Sequence, residues 1–150
     1  MLSHYHIILA IIVSIILYLL KFQPIFIILF FLAAIFIDVD HYFLYIQRKK
    51  KLNPLGAYKY NRYEIAKELK RTGQKYVLVI FHTIEFFVLL LILSLIFRIL
   101  WPIFFGCLFH ELTDVAYEST IKDKKYKRAF SLIYYELKIN KAKRNSVKQR

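Results

Sequence analysis

Residues 34–44 read AIFIDVDHYFL and place Asp38, Asp40 and His41 inside a run that is otherwise apolar and aromatic. Removing ionisable side chains from water costs several kcal/mol or more each unless they are paired or bind a metal. This run therefore needs partners for all three groups, and a bound metal ion is a partner that carboxylates and imidazoles can share. The surrounding sequence decides whether such a site lies in water or in a membrane.

Four apolar blocks predict the fold. The chain of 150 residues is 59% hydrophobic and has only three glycines and three prolines, which argues against a turn-rich all-β protein. At about 1.5 Å per residue, a helix of about 22 residues is long enough to cross a bilayer. We therefore expect an all-α membrane protein with a bundle of four transmembrane helices, in blocks over about residues 4–20, 25–46, 76–100 and 103–117.

The basic residues indicate how these helices are oriented. Of the 23 Lys and Arg, ten lie in residues 48–75 and eleven in residues 122–150, so the net charge of +13 is concentrated in two segments. Such segments are typical of cytoplasmic loops that face membrane lipids with anionic inner-leaflet headgroups. This orientation puts both termini in the cytoplasm of a protein of the cytoplasmic membrane. It accounts for the charge without a nucleic acid partner, and the sequence leaves the oligomeric state open.

Two domains follow from this pattern. The first, residues 1–118, is the transmembrane bundle and includes the basic loop 47–75. The second, residues 119–150, is a basic cytoplasmic tail that ends in a disordered stretch from residue 141. A short amphipathic helix is expected within the tail, because apolar residues recur there at helical spacing, at Phe130, Ile133, Tyr134 and Leu137.

The basic loop carries signals for one further helix. Residues 53–56 (NPLG) indicate a turn, and Asn61 with Glu64 three residues later resembles a capping box. The helix that begins there is expected to end at Thr72. It either lies on the membrane surface or forms a solvated linker.

Ionisable residues are placed where a membrane protein can least easily hold them. All five histidines and five of the ten acidic residues lie in or at the edge of the apolar blocks. With both basic segments inside, these residues all fall near the cytoplasmic ends of the four helices. Pairs spaced i,i+3 or i,i+4 on one helix share a face, and three such pairs are present: Asp38 and His41, His82 and Glu85, His110 and Asp114.

This pattern predicts a metal site. Imidazole and carboxylate ligands suit one or two divalent ions, with Zn²⁺ expected first and Mn²⁺ or Fe²⁺ also compatible. Glu111 lies about 100° from His110 around the helix, so we assign it as a general base, a role for which Glu85 is also a candidate. The expected ligands are His6, Asp38, Asp40, His41, His82, His110 and Asp114.

Some of these residues have simpler interpretations. Asp38 can end a helix, and His41 can lie at the headgroup level beside tyrosines. Glu85 can be a ligand itself, or pair with Arg98 or a neighbouring histidine. His4 and His6 can be interfacial residues, and either one can supply the ligand of the first helix.

The motifs resemble those of the YdjM-like family of bacterial and archaeal membrane-bound metal-dependent hydrolases. Residues 38–41 (DVDH) resemble the Asp-x-Asp element of that family, and residues 81–85 (FHTIE) stand where it has a His-containing motif. Residues 106–114 (GCLFHELTD) match its Gly-x-x-x-His-x-x-x-Asp element. His6, with the small Ala10 four residues later, corresponds to its early histidine.

The resemblance implies a hydrolase, and the depth of the site suggests an ester or lipid phosphoester as its substrate. The main alternative is a membrane protein that binds metal without catalysis or conducts ions or protons. A conduction pathway needs polar groups in the outer halves of the helices, where residues 11–16 offer only Ser14 and residues 86–97 only Ser94. A third alternative is a structural protein that uses its basic loops to bind lipid or another subunit.

Overall fold

A computed structural model describes residues 3–72, 76–120 and 127–138 and gives them an all-helical architecture, with one short pairing of extended segments. A π-helical turn joins α4 to α5, and residues 132–138 form a short C-terminal helix. The predicted disordered end of the tail, from residue 141, lies outside the described residues. The longer helices are α1 (Ser3–Leu19), α2 (Pro24–Phe36), α3 (Val39–Lys49), α4 (Pro54–Lys59), α5 (Ile65–Thr72), α6 (Ile84–Ile96) and α7 (Trp101–Thr120).

The described chain divides into two compact units. The first is drawn from Met1–Val39 and Phe86–Lys124, and the second from Asp40–Glu85 and Lys125–Arg150. The domain boundary predicted from the sequence at residue 118 stays a prediction.

Two helical runs are long and apolar enough to cross a membrane, Pro24–Lys49 and Arg98–Tyr117. Tyr5–Leu19 and Ile84–Ile96 are apolar but shorter. Within Pro24–Lys49, a turn at Ile37 and Asp38 separates α2 from α3, so the expected second helix is interrupted. A membrane location is thus supported by length and composition, while the bundle of four crossings stays a prediction.

The first unit is built on α2, which packs against both α1 and α7. The contact with α7 is close because position 106 is glycine. A Cβ there would overlap the carbonyl oxygen of Phe30 and lie 2.9 Å from the Cβ of Ala33. Real side chains do not approach so closely, so the glycine sets the distance between the two helices.

We expect Gly106→Leu to destabilise the first unit by about 1–3 kcal/mol or more, because α7 must move away from α2 to admit the side chain. Thermal unfolding of the detergent-solubilised protein measures the loss. Ala116→Leu places the same side chain on an exposed position of α7 and serves as the matched control. Equal losses in the two variants would contradict the close-contact account.

The third predicted helix is shorter than expected. Residues 76–100 were expected to be helical, but only Ile84–Ile96 form α6. Ahead of α6, β1 (Tyr76–Val77) pairs in parallel with β2 (Lys127–Arg128), and the carbonyl of Val77 accepts from the N–H of Ala129 at 2.9 Å. Residues 76–80 (YVLVI) are mostly β-branched or aromatic, a composition that favours extended backbone, and the pairing with β2 holds them in that conformation.

The second unit has a core of its own between α3 and the α4–α5 region. Asn53 caps α4, since its Oδ1 accepts from the N–H groups of Leu55 and Gly56 at 3.0 and 3.2 Å. The residues expected to form a turn therefore begin a helix, and the capping box predicted at Asn61 is wrong. The side chain of Asn61 instead donates to the carbonyl of His41 at 3.1 Å. The end of the helix at Thr72 agrees with the prediction. The core residues are Leu44, Tyr45, Ala57, Tyr60, Ile65, Leu69, Val77 and Val79.

A carboxylate ties α5 to the end of α3. Glu68 accepts from Lys49 Nζ at 2.9 Å and from Arg48 Nη1 at 3.0 Å, and its side chain is only 17% exposed. The hydrogen bond from Lys49, supported by that from Arg48, holds the pKa of Glu68 below its ordinary value. A carboxyl group with a lowered folded-state pKa stabilises the fold above its unfolded pKa, and this contribution is lost as pH falls through the folded pKa.

We expect Glu68→Gln to lower the free energy of unfolding of the second unit by about 1–2 kcal/mol at pH 7, because two charged hydrogen bonds are weakened. The difference from the native chain should shrink as the pH falls from the ordinary glutamate pKa of about 4.3 toward the lowered pKa of folded Glu68, where the native carboxyl group also becomes neutral. Denaturant unfolding at several pH values measures both effects. Glu64→Gln, at a side chain that is 58% exposed, should change stability much less. A Glu68→Gln penalty that is constant with pH would contradict the assignment.

Candidate metal centre

Three buried side chains meet in the first unit. α1 supplies His6, and α7 supplies His110 and Asp114, which share a face at i,i+4 spacing. These residues are 4%, 1% and 5% exposed, and they offer ligand atoms that all lie within 4.8 Å of one another. We call them the first-unit group. Ionisable side chains this deeply buried need partners or a cation between them.

His110 is held in one orientation by a backbone carbonyl. Its Nδ1 lies 2.7 Å from the carbonyl oxygen of Ala34 on α2. Because a carbonyl can only accept, Nδ1 carries a proton and the lone pair of the neutral ring is on Nε2. That Nε2 lies 3.4 Å from Oδ1 of Asp38. Two electron-rich atoms facing each other in this way call for a positive charge, which either a metal ion or a ring proton supplies.

His6 is held from both sides. Its Nε2 lies 2.9 Å from Asp114 Oδ1, and its Nδ1 lies 3.1 Å from the hydroxyl oxygen of Thr113. The ring stacks on that of His110, with centroids 3.9 Å apart and planes 10° from parallel. The side chain of His4 lies outside the described residues, so of the two early histidines it is His6 that is seen in the group.

A second group lies in the second unit. Asp40, His41 and His82 also offer ligand atoms within 4.8 Å of one another. Asp40 Oδ2 accepts from the N–H of Phe81 at 2.9 Å and contacts His82 Nδ1 at 3.2 Å. Its other oxygen, Oδ1, is buried and has no hydrogen-bond partner among the described residues. The rings of His41 and His82 lie 5.4 Å apart. We call these residues the second-unit group.

Both groups have the chemistry of a metal site. Each combines imidazole nitrogen with carboxylate oxygen, the donor set that zinc, iron and manganese accept. Each also contains a histidine whose Nδ1 is oriented by an oxygen atom, as is usual for histidines that bind metal through Nε2. The described chain therefore has buried His and Asp groups that can hold a metal ion, and the donor set by itself does not choose the metal.

Two of the predicted pairings on one helix face are wrong. Asp38 lies in the turn before α3, so it does not share a regular helix with His41. His82 lies in the 3-10 turn Ile80–His82 ahead of α6, so it does not share a helix face with Glu85. In both cases an interruption of the helix replaces the regular spacing that the sequence suggested. The spacing of His110 and Asp114 agrees with the prediction, since both lie on α7.

The two predicted general bases lie outside both groups. Glu85 accepts from Ser131 Oγ at 2.6 Å and from the N–H groups of Leu132 and Ile133 at 3.1 and 3.4 Å. It thereby caps the start of the C-terminal helix, so these bonds occupy the carboxylate that was expected to act as a base. Glu111 follows His110 on α7 and is half-buried.

Sequence reasoning missed two contributors. The carbonyl of Ala34 orients His110, and a backbone group of this kind leaves no mark in the sequence. Thr113 contacts His6, and its place between His110 and Asp114 was a usable signal, because a hydroxyl in an apolar helix needs a partner.

The chain matches no protein-family model, no curated protein and no solved structure.

We expect Glu85→Ala to speed hydrogen exchange at the amides of Leu132 and Ile133 by about fivefold, which corresponds to the loss of a helix cap worth about 1 kcal/mol. Hydrogen-exchange mass spectrometry of the full chain measures the change. Glu136→Ala, at an exposed acid in the same helix, is the matched control and should leave the rate unchanged. Unchanged exchange in Glu85→Ala would show that the cap contributes nothing to the helix.

Proposed function

We propose that the protein is an integral membrane metal-dependent hydrolase that acts near the cytoplasmic headgroup region, on an ester or phosphoester of a lipid. The proposal assigns the first-unit group, with Asp38 beside it, as the main metal site. Zn²⁺ is the ion that we expect first, and Mn²⁺ and Fe²⁺ fit the same donors. The likeness of the motifs to the YdjM-like hydrolases points to the same reaction class.

The orientation of His110 is the observation that carries this proposal. The Ala34 carbonyl directs the Nε2 lone pair toward Asp38, in a cluster that also contains the carboxylate of Asp114. A side chain that served only as packing would gain nothing from being buried beside carboxylates. A ligand fixed by a backbone carbonyl, in contrast, is already oriented before the ion arrives.

A membrane location agrees with the distribution of apolar surface. α1 exposes Ile8, Ile15 and Leu19, and α6 exposes Leu89 and Leu95. Large aliphatic side chains that stay exposed along whole helices are suited to lipid rather than water. We extend this to the complete arrangement of four crossings with both termini in the cytoplasm, which agrees with the two basic segments.

The chemistry follows from the donors and from one further acid on α7. A divalent ion, when bound, polarises an ester or phosphoester oxygen and makes an adjacent water more acidic. Glu111, which follows His110 in the sequence, is the general base that we assign, since its carboxylate can receive the proton of the attacking water. The carboxylates of Asp38 and Asp114 would counter the charge of the ion.

The second-unit group would hold a second ion. The buried Oδ1 of Asp40 is the oxygen best suited to bind this ion. It has no hydrogen-bond partner among the described residues, whereas Oδ2 has two. His82 and His41 would complete the donor set. This assignment makes the protein a two-ion enzyme, with one ion bound in each unit.

The substrate is expected to be anionic. The exposed surface of the α4–α5 region is basic and includes Lys59, Arg62, Lys67 and Lys70. Cationic side chains at the membrane surface raise the local concentration of anionic lipid headgroups. A lipid phosphoester agrees with this charge better than a neutral ester does.

We expect the purified, detergent-solubilised protein to contain divalent metal, and the His6→Ala, His110→Ala, Asp114→Ala triple variant to lose the ion of the first unit. Elemental analysis by mass spectrometry measures metal content, and release of fatty acid, headgroup or phosphate from mixed phospholipid micelles measures turnover. Glu64→Ala, at an exposed acid of the second unit, controls for the loss of charged side chains in general and should retain both metal and activity.

Two results would overturn the proposal. Metal content that is unchanged in the triple variant would remove the first-unit site. Metal-loaded protein that releases nothing from phospholipids but carries ions into proteoliposomes would favour the transport alternative.

A further inference from the structure

The two histidines of the first-unit group have different partners at Nδ1. His110 faces the carbonyl of Ala34, which can only accept a hydrogen bond, so its ring keeps the proton on Nδ1 in every neutral state. His6 faces the hydroxyl of Thr113, which can either donate or accept. The difference allows His6 a second tautomer that His110 does not have.

The hydroxyl of Thr113 can donate its single proton to either of two acceptors. Its Oγ1 lies 2.8 Å from the carbonyl oxygen of His110, one turn back on α7, and 3.1 Å from His6 Nδ1. When the hydroxyl donates to His6, the ring must carry its proton on Nε2. When it donates to the His110 carbonyl, its oxygen accepts from a protonated Nδ1 of His6.

One arrangement satisfies the hydrogen bonds of the first-unit group without an ion, and the other leaves its ligand atoms ready to bind one. With the proton on Nε2, His6 donates to Asp114 Oδ1 at 2.9 Å, and the pair is complete without an ion. With the proton on Nδ1, the Nε2 lone pair and the Asp114 carboxylate both face the same space as metal ligands. The ring is neutral in both cases: Nε2 releases one proton to solvent and Nδ1 takes one from solvent, while Thr113 keeps its own proton, so the net proton count of His6 does not change.

We propose that Thr113 is a positioning residue that lets His6 exchange tautomers when the metal ion binds, by turning its hydroxyl from His6 Nδ1 to the carbonyl of His110. This inference rests on the proposed metal site and deepens it. The exchange lets a buried histidine keep hydrogen bonds at both nitrogens before the ion arrives and at Nδ1 afterwards, which avoids the cost of a buried unsatisfied N–H.

The test uses the full chain in detergent micelles with ¹⁵N-labelled histidine, titrated with Zn²⁺ from a chelator buffer. Ring ¹⁵N shifts and their couplings to ring protons report the tautomer of each histidine, and the spectrum of His6→Gln assigns the His6 signals. Because the titration is followed on the His6 signals, Zn²⁺ that binds to the second-unit group does not obscure the result.

In the native chain we expect His6 to change from protonated Nε2 to protonated Nδ1 as Zn²⁺ binds, while His110 stays protonated on Nδ1. Thr113→Val keeps the shape of the side chain but removes the hydroxyl, and should weaken Zn²⁺ binding by about 10–100-fold, the usual cost of losing a group that orients a ligand. Thr113→Ser retains the hydroxyl and should restore both the native affinity and the tautomer exchange.

Ser94→Ala is the control for a lost hydroxyl. Ser94 lies in the first unit, on α6, and bonds the Leu90 carbonyl of its own helix at 2.7 Å, as Thr113 bonds that of His110. Its removal should leave Zn²⁺ affinity unchanged. If the native chain binds no Zn²⁺, the proposed function itself fails. If it binds Zn²⁺ while His6 keeps its proton on Nε2, or if Thr113→Val binds as tightly as the native chain, the metal site stands and the role of Thr113 is wrong.

Discussion

The close contact between α2 and α7 is the constraint on which the candidate site depends. Gly106 leaves no room for a side chain against the backbone of Phe30 and Ala34. One turn further along α7, His110 reaches the Ala34 carbonyl at 2.7 Å. A wider separation of the helices would break this hydrogen bond, and with it the fixed tautomer of the ring. The packing of a glycine thus determines the chemistry of a histidine four residues away.

The helices of the first unit could be predicted because their signals are local. α1 and α7 begin and end within three residues of the apolar blocks that predicted them. The region before α6 could not be predicted in the same way. Residues 76–84 are held by hydrogen bonds to residues 127–130, about fifty residues later in the chain, and no periodicity in the apolar block records such a pairing. His82 lies in a local 3-10 turn of this region, and Glu85, just after it, bonds residues 131–133 and so caps a helix from the distant segment.

The residue types of the candidate site could be predicted better than its geometry. Histidines and carboxylates in apolar blocks are informative because burial makes them costly, so each of them needs a reason. Which of them meet depends on where helices are interrupted, as Asp38 in the turn before α3 illustrates. Side chains of one type can also serve different ends: Asp114 contacts a histidine, whereas Glu85 binds backbone N–H groups. Composition does not distinguish these uses, because both satisfy a carboxylate.

The hydrogen-bond partners of the two histidines suggest why the first-unit group contains one ring with a fixed tautomer, His110, and one ring whose tautomer can change, His6. A group made only of fixed ligands would leave lone pairs facing carboxylates whenever the ion was absent, and in a buried site that repulsion would act against folding. A group made only of adjustable ligands would be stable without the ion but would have to reorganise fully to bind it. His110 on a carbonyl provides a ligand that is oriented in advance, and His6 on a hydroxyl provides one that Asp114 can satisfy in the meantime. The combination limits both the cost of folding without metal and the reorganisation needed to bind it.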